Sequence, residues 1–290
     1  REHRARRGIS LKKMAEDQVK IKLPGGASRE IGQLAEWYVA TRDVTRTFNG
    51  GSAWVLVLIH TIVQYPVTTV EGDTYTWGPW SDALDPAEYK LDVRAVGDGT
   101  YEYQLSGRSK LDKTAAFEVV IDGAADPRRG DLQGSGKFLL DFDAGRRVNP
   151  LDADDARGQV TVSYDLAARH LDLDIASVDD LGQPVFADYA YTETADGAGD
   201  MTFNVKGNAG GTTAQEDITL RSRWLSTGTG RADARLIGGD LASPGATASE
   251  CWDTSFKRVF YTDSVNFAPT EGTVESCAKE FRLQDLPPVK

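Results

Sequence analysis

The chain has 290 residues, 40% of them hydrophobic, and a formal net charge of −11. That length supports a sizeable core in one large β domain or two smaller ones. An acidic body excludes nucleic acid as a partner, because phosphates need a basic surface. The longest apolar run, Ala53–Val63, falls short of the roughly 20 residues a helix needs to span a bilayer.

The charge is unevenly placed. Residues 1–22 carry eight Arg/Lys against three Asp/Glu, which leaves −16 for the rest of the chain. Residues 1–27 read as a basic, solvated, poorly ordered arm closed by the breaker Leu23-Pro24-Gly25-Gly26-Ala27, with room for a short helix over Lys12–Val19. Such an arm suits anionic lipid or the acidic face of a protein partner. Arg1 at the start points to a processed or trimmed product whose secretion signal or lipid-attachment cysteine would precede it.

Two N-terminal helices are expected over residues 28–65. Ser28 caps the first, which places Ile31, Leu34, Trp37, Tyr38 and Val44 on one side and ends at Asn49-Gly50-Gly51. Ser52 caps the second, Ala53–Tyr65, apolar nearly all round and stopped by Pro66. The β-branched content of Trp54–Ile59 leaves a strand as the competing reading there.

From Thr74 the pattern changes to period two. A strand at 74–77 precedes the bend Gly78-Pro79. Hairpins follow at 89–96 with 100–107, 116–122 with 135–143, 158–165 with 170–177, 184–193 with 200–206 and 215–225 with 231–238, then a last strand at 252–262. Residues 144–157 and 238–250 are the long connections. Parity puts Tyr101, Tyr103 and Leu105 on a dry face, with Phe117, Val119 and Ile121, then Val160, Val162 and Tyr164, Leu171, Leu173 and Ile175, Met201, Phe203 and Val205, and Ile218 and Leu220. The other face carries Glu102, Glu118, Thr161, Asp172, Asp174, Asn204, Thr219 and Arg221. An outward polar face is incompatible with a lipid-facing barrel wall. The fold class is therefore mainly β: a long antiparallel up-and-down meander curled into a half-barrel or barrel, with the N-terminal helices packed on its concave face. Residues 28–290 read as a single β domain, with the meander at 74–262 and a C-terminal tail at 263–290.

The chain holds two cysteines, Cys251 and Cys277. A sparse, even count in a Gly/Asp/Thr-rich β chain suits one disulfide in an oxidising compartment; free thiols in a cytosolic chain are the alternative. Of the three histidines, His60 lies in the apolar segment, where it reads either as a core histidine or as a polar contact to a ligand. Asp152, Asp154 and Asp155 with Asn149 have the oxygen chemistry of a hard-cation site but lack the EF-hand pattern, and a solvated acidic loop accounts for them. No nucleophile elbow, zinc-binding helix, P-loop or dinucleotide fingerprint occurs, so no cofactor is called for and a non-enzymatic role is expected. Aromatic residues concentrate in the N-terminal half. The candidate lining of an apolar ligand site is Trp54, Leu58, Ile62, Trp77, Tyr101, Tyr103 and Phe117, although an ordinary core would use the same residues.

The helix–helix–meander order, together with Thr74-Tyr-Thr-Trp-Gly-Pro-Trp-Ser-Asp-Ala-Leu-Asp-Pro86 and Ser249-Glu-Cys-Trp-Asp253, resembles the half-barrel of bacterial lipid and lipoprotein carriers, the LolA/LppX-like group, and uncharacterised envelope lipoproteins of Gram-negative bacteria. The likeness covers roughly residues 28–262. It implies a curved sheet whose concave face holds acyl chains or is filled by helices, in the periplasm or at the outer membrane or cell surface, with peripheral or lipid-anchored membrane association. It carries no residue role with it. A structural subunit of an envelope assembly, docking through the basic arm, is the second expectation.

Overall fold

The computed structural model describes residues 30–130, 132–151, 156–178, 182–207, 214–284 and 286. The expected helix at Lys12–Val19, the Ser28 cap and the Asp152, Asp154 and Asp155 trio lie outside them.

One helix, α1 (Glu36–Val63), replaces the two expected at the N-terminus. The run Trp37, Thr41, Val44, Phe48, Ser52 and Val55 is buried at steps of three and four residues, passing straight through Gly50 and Gly51. Two helical glycines cost about 1 kcal/mol each. A break would forfeit the burial of several large side chains, each worth about 1.5–3 kcal/mol. The stripe therefore wins over the breaker signal, and the strand alternative at Trp54–Ile59 falls with it. Ile31 and Leu34, expected on the helix face, are instead exposed in the lead-in, where Leu34 bridges to Lys257.

The rest is mainly β, as expected. Among the described residues fifteen antiparallel strands follow one another in chain order in a sheet that is not closed. They are β1 (Thr69–Glu71), β2 (Thr74–Trp80), β3 (Ala87–Gly97), β4 (Thr100–Ser109), β5 (Glu118–Asp126), β6 (Ser135–Asp141), β7 (Gln159–Asp165), β8 (His170–Val178), β9 (Pro184–Glu193), β10 (Gly199–Gly207), β11 (Glu216–Trp224), β12 (Gly230–Gly238), β13 (Ala246–Trp252), β14 (Arg258–Asp263) and β15 (Thr270–Gly272). The expected single strand at 252–262 is two strands and a turn. The Asp253 carboxylate accepts the amides of Ser255 and Lys257 there, and Phe256 takes a left-handed φ of 62°. A short helix, α2 (Phe142–Val148), stands where a loop was expected; Asp141 caps it by accepting the Ala144 amide at 2.8 Å.

The chain forms two compact units. In the first, built around Thr47–Ala167, β2 to β7 pair in register and α2 covers β4 and β5. In the second, built around the described residues within 30–46 and 178–286, β11 to β14 are buried on both faces. One face meets the first turns of α1: Trp37 donates its amide to Glu250, Thr41 shares a short hydroxyl contact with Ser222, and Tyr38 packs on Trp252. The other face meets the tail, which the Cys251–Cys277 disulfide fixes at an S–S distance of 2.13 Å. No described helix is long and apolar enough to cross a membrane.

Candidate functional site

Register in the first unit sorts the aromatic residues. One row crosses the strands through Tyr75, Val93, Tyr103, Gly123, Phe138 and Val162. The next runs through Trp77, Leu91, Leu105, Ile121, Leu140 and Val160. From Leu91 to Val160 the second row is 2% exposed or less, and in the first row Tyr103, Phe138 and Val162 are 4% or less. These rows are the dry face, and its middle is filled.

Of the seven candidate lining residues, Trp77, Tyr101 and Tyr103 share this face. Trp77 is half-buried and donates its indole N–H to the Tyr65 carbonyl at 2.8 Å. Tyr101 stands at the rim, 37% exposed. Trp54 and Leu58 are half-buried on α1, and Ile62 is buried there. Phe117 belongs elsewhere. Its ring lies under Lys90 and Arg108, which alternate with Tyr89, Leu91 and Leu105 and so occupy the wet face. A bulge explains the misplacement. Leu105 pairs with Ile121 but Ser106 pairs with Val119, so Val120 is the extra residue and parity inverts before it. Val119, expected to be dry, is accordingly 39% exposed.

Tyr103 is the chemically distinctive group on the dry face. Its ring lies flat on Gly123: a Cβ built there would collide with the phenol Cζ. Its hydroxyl is buried and, among the described residues, has no hydrogen-bond partner. Burial, with Tyr164 and Asp122 nearby, pushes the phenol well above its ordinary pKa, so it stays protonated and remains a donor. Gly136 lies beneath the Tyr164 ring and Gly107 beneath Tyr89 and Val148 in the same way. These glycines were not singled out from the sequence; a glycine directly opposite an aromatic residue inside a strand is the signal that would have found them.

The wet face carries ion pairs: Lys90 with Asp92 along β3, and Arg94 with Glu102 and Arg108 with Glu88 across β3 and β4. Glu118, expected on that face, pairs with Gly107 past the bulge and so stands on the other side, where Arg147 of α2 meets it. His60 is exposed, so its core reading does not apply. In the second unit His170 shares its two ring nitrogens between Thr192 and Asp172 at the surface.

The second unit also buries charge. Asp233, fully buried, takes hydrogen bonds from Arg231, Arg223 and Ser249 on the tail side of the sheet. Arg231 reaches on to the Phe281 carbonyl at 2.7 Å. On the α1 side Glu250, fully buried, pairs with Arg258 at 2.5 Å. Burial pushes the Glu250 carboxyl above its ordinary pKa, against the pull of Arg258 and the Trp37 amide. Each of these charges has an internal partner, as structural ion pairs do.

Comparison with family models, characterised proteins and solved structures finds no match. The case for a site therefore rests on geometry. An apolar sheet face with one buried, unpartnered phenol offers hydrocarbon contact and a single hydrogen-bond donor.

Proposed function

We propose that the protein is a non-enzymatic component of a bacterial cell envelope that holds an apolar ligand, a lipid or acyl chain, against the dry face of the first unit. The observation that carries this reading is the Tyr103 hydroxyl, buried without a partner among the described residues, on a face made mostly of apolar and aromatic side chains. An unpaired buried hydroxyl costs on the order of 1–3 kcal/mol. An ester or carboxyl oxygen of a lipid would accept from it and recover that cost. In this reading the sheet curls as a half-barrel like that of the LolA/LppX-like carriers, and the second half of α1, with Trp54, Leu58 and Ile62, lies on its concave face as a filling that yields to the acyl chain. A disulfide-bonded cysteine pair supports an oxidising compartment, periplasm or cell surface. The paired charges of the wet face support an exterior that faces water rather than lipid.

Mass spectrometry of natively purified protein should find co-purified lipid, and delipidated protein should take up a fluorescent fatty acid. Tyr103→Phe should weaken that uptake while leaving the fold intact. Delipidated protein that takes up no fatty acid at all would end the proposal.

A second reading draws on the charge split between residues 1–22 and the acidic remainder: a subunit that docks onto an acidic neighbour through its basic arm. Removing residues 1–27 should then abolish assembly at low salt; assembly unchanged by that truncation would end this reading.

A further inference from the structure

The connection between β14 and β15 presents apolar side chains to solvent on a fixed backbone. Phe267 is fully exposed, at 107%, and Val265 is 67% exposed. Loose loops do this by accident, but this one is braced. Asp263, itself buried, accepts the amide of Val265 at 2.9 Å and that of Asn266 at 2.8 Å, and its second oxygen holds the Asn266 side chain. Its own amide donates to the Pro269 carbonyl at 2.8 Å, closing the loop, and Ser264 donates to the Thr247 carbonyl at 3.0 Å on β13. A buried carboxylate is thus committed to holding two apolar side chains in water. Folding of the unit gains nothing from their position.

Three features select the occupant. Phe267 is wholly exposed, so it enters something rather than receiving it. Ser264–Thr270 contains no charged residue in a chain of net charge −11, so none of these seven residues brings a charge to a lipid surface. Leu241, 37% exposed on the β12–β13 connection, stands at the same end of the sheet. An isolated Phe flanked by small neutral residues suits the boundary between headgroups and acyl chains, where each buried apolar side chain adds to partitioning without a complementary pocket. We infer that the 264–270 tip is a membrane-contact element that inserts Phe267 and Val265 into the interface of a zwitterionic lipid surface. The inference rests on the envelope reading only in placing such a surface within reach.

The test uses the full chain and phosphatidylcholine vesicles at physiological salt, where the basic arm finds no anionic lipid. Wild-type protein should co-float with the vesicles, and Phe267→Ser should lower the bound fraction about tenfold. Phe267→Trp should bind as wild type does and be quenched by brominated acyl chains. Absence of vesicle binding, binding indifferent to Phe267→Ser, or a change of oligomeric state in Phe267→Ser without lipid would each overturn the inference. The last outcome would assign the tip to a second copy of the chain. Fatty-acid uptake through the dry face is read separately, so vesicle binding can fail while uptake stands, or the reverse.

Discussion

The backbone amide of Trp37, in the first turn of α1, donates to the carboxylate of Glu250 at 2.6 Å across 213 residues of sequence. A helix start leaves amides unpaired and carries a partial positive charge. Here the cap comes from β13 rather than from a neighbouring Ser or Asp. Glu250 also binds Arg258, whose guanidinium lies 3.9 Å from Glu36 and 3.5 Å from Glu271 and stacks on Tyr261. The backbone follows the same junction: Ala35 donates to the Phe256 carbonyl, and Gly32 and Gln33 exchange hydrogen bonds with Arg258. Glu250→Ala leaves a buried arginine without its closest carboxylate and should cost about 3–5 kcal/mol by denaturant unfolding. The pH dependence has the opposite sign to that of most carboxylates. Because the folded pKa of Glu250 is raised, the folded state holds its proton more tightly than the unfolded chain does. Its contribution is largest below the ordinary glutamate pKa and declines as pH rises through the raised value. The stability difference between wild type and Glu250→Gln, followed against pH, should show that decline.

The alternation between Lys90 and Arg94, or between Tyr101 and Leu105, is legible because one face is dry and a slip of one residue would expose it. Where a local signal competes with a distant one, the sequence misleads. Asn49-Gly50-Gly51 looks like a helix end, yet the Val44–Phe48–Ser52–Val55 stripe carries α1 through it. The inversion at Val119 depends on how β4 and β5 pair, which residues 116–122 alone do not encode. Within the candidate lining, Tyr103 could be placed by parity and Phe117 could not, for that reason. Glu250 had no local pattern at all, since its partners lie on α1 and β14.

The turn at 253–257 repeats those at 194–198 and 225–229. In each, the first residue donates its amide to the carbonyl of the fifth, and the fourth donates to the carbonyl of the first. The fourth residue is Gly197, Gly228 and then Phe256, all at positive φ. A bulky residue there costs about 1–2 kcal/mol. What offsets it is the Tyr38 ring, stacked on Phe256 at 4.3 Å between centroids and 12° between planes. Phe256→Gly should therefore destabilise by about 1 kcal/mol despite relieving the backbone, because the stack and its burial are lost while glycine adds freedom to the unfolded chain. A double-mutant cycle with Tyr38→Ala should return a coupling of about 0.5–1.5 kcal/mol. A coupling of zero would mean the rings touch without holding the turn.

Arg128 grips Asp126 with two donors, at 2.8 and 2.7 Å, and adds its backbone amide at 3.1 Å. The guanidinium first and the amide second lower the Asp126 pKa to about 2. Since the folded value lies below the unfolded one, whatever this pair contributes is present above the ordinary aspartate range and disappears as pH falls through about 2. Carbon-13 carboxyl titration of Arg128→Ala should show Asp126 moving back toward an ordinary aspartate, though not all the way, because the amide at residue 128 remains.

Gly123 tests the dry face itself. Its neighbour across the ladder is Tyr103, and alanine would drive a methyl into the ring. With Tyr103 only 4% exposed, the ring has little room to retreat. Gly123→Ala should cost about 1–3 kcal/mol through overpacking. Tyr103→Phe, which removes only an unpartnered buried hydroxyl, should be neutral or stabilising in the ligand-free protein. The two substitutions separate packing from polarity: the first lowers stability and disturbs the surface on which an acyl chain would lie, while the second leaves the surface and removes the donor. If the hydroxyl exists to bind a lipid oxygen, Tyr103→Phe should lose fatty-acid affinity without losing stability. If it serves packing alone, stability should fall and fatty-acid affinity should stay at its wild-type value.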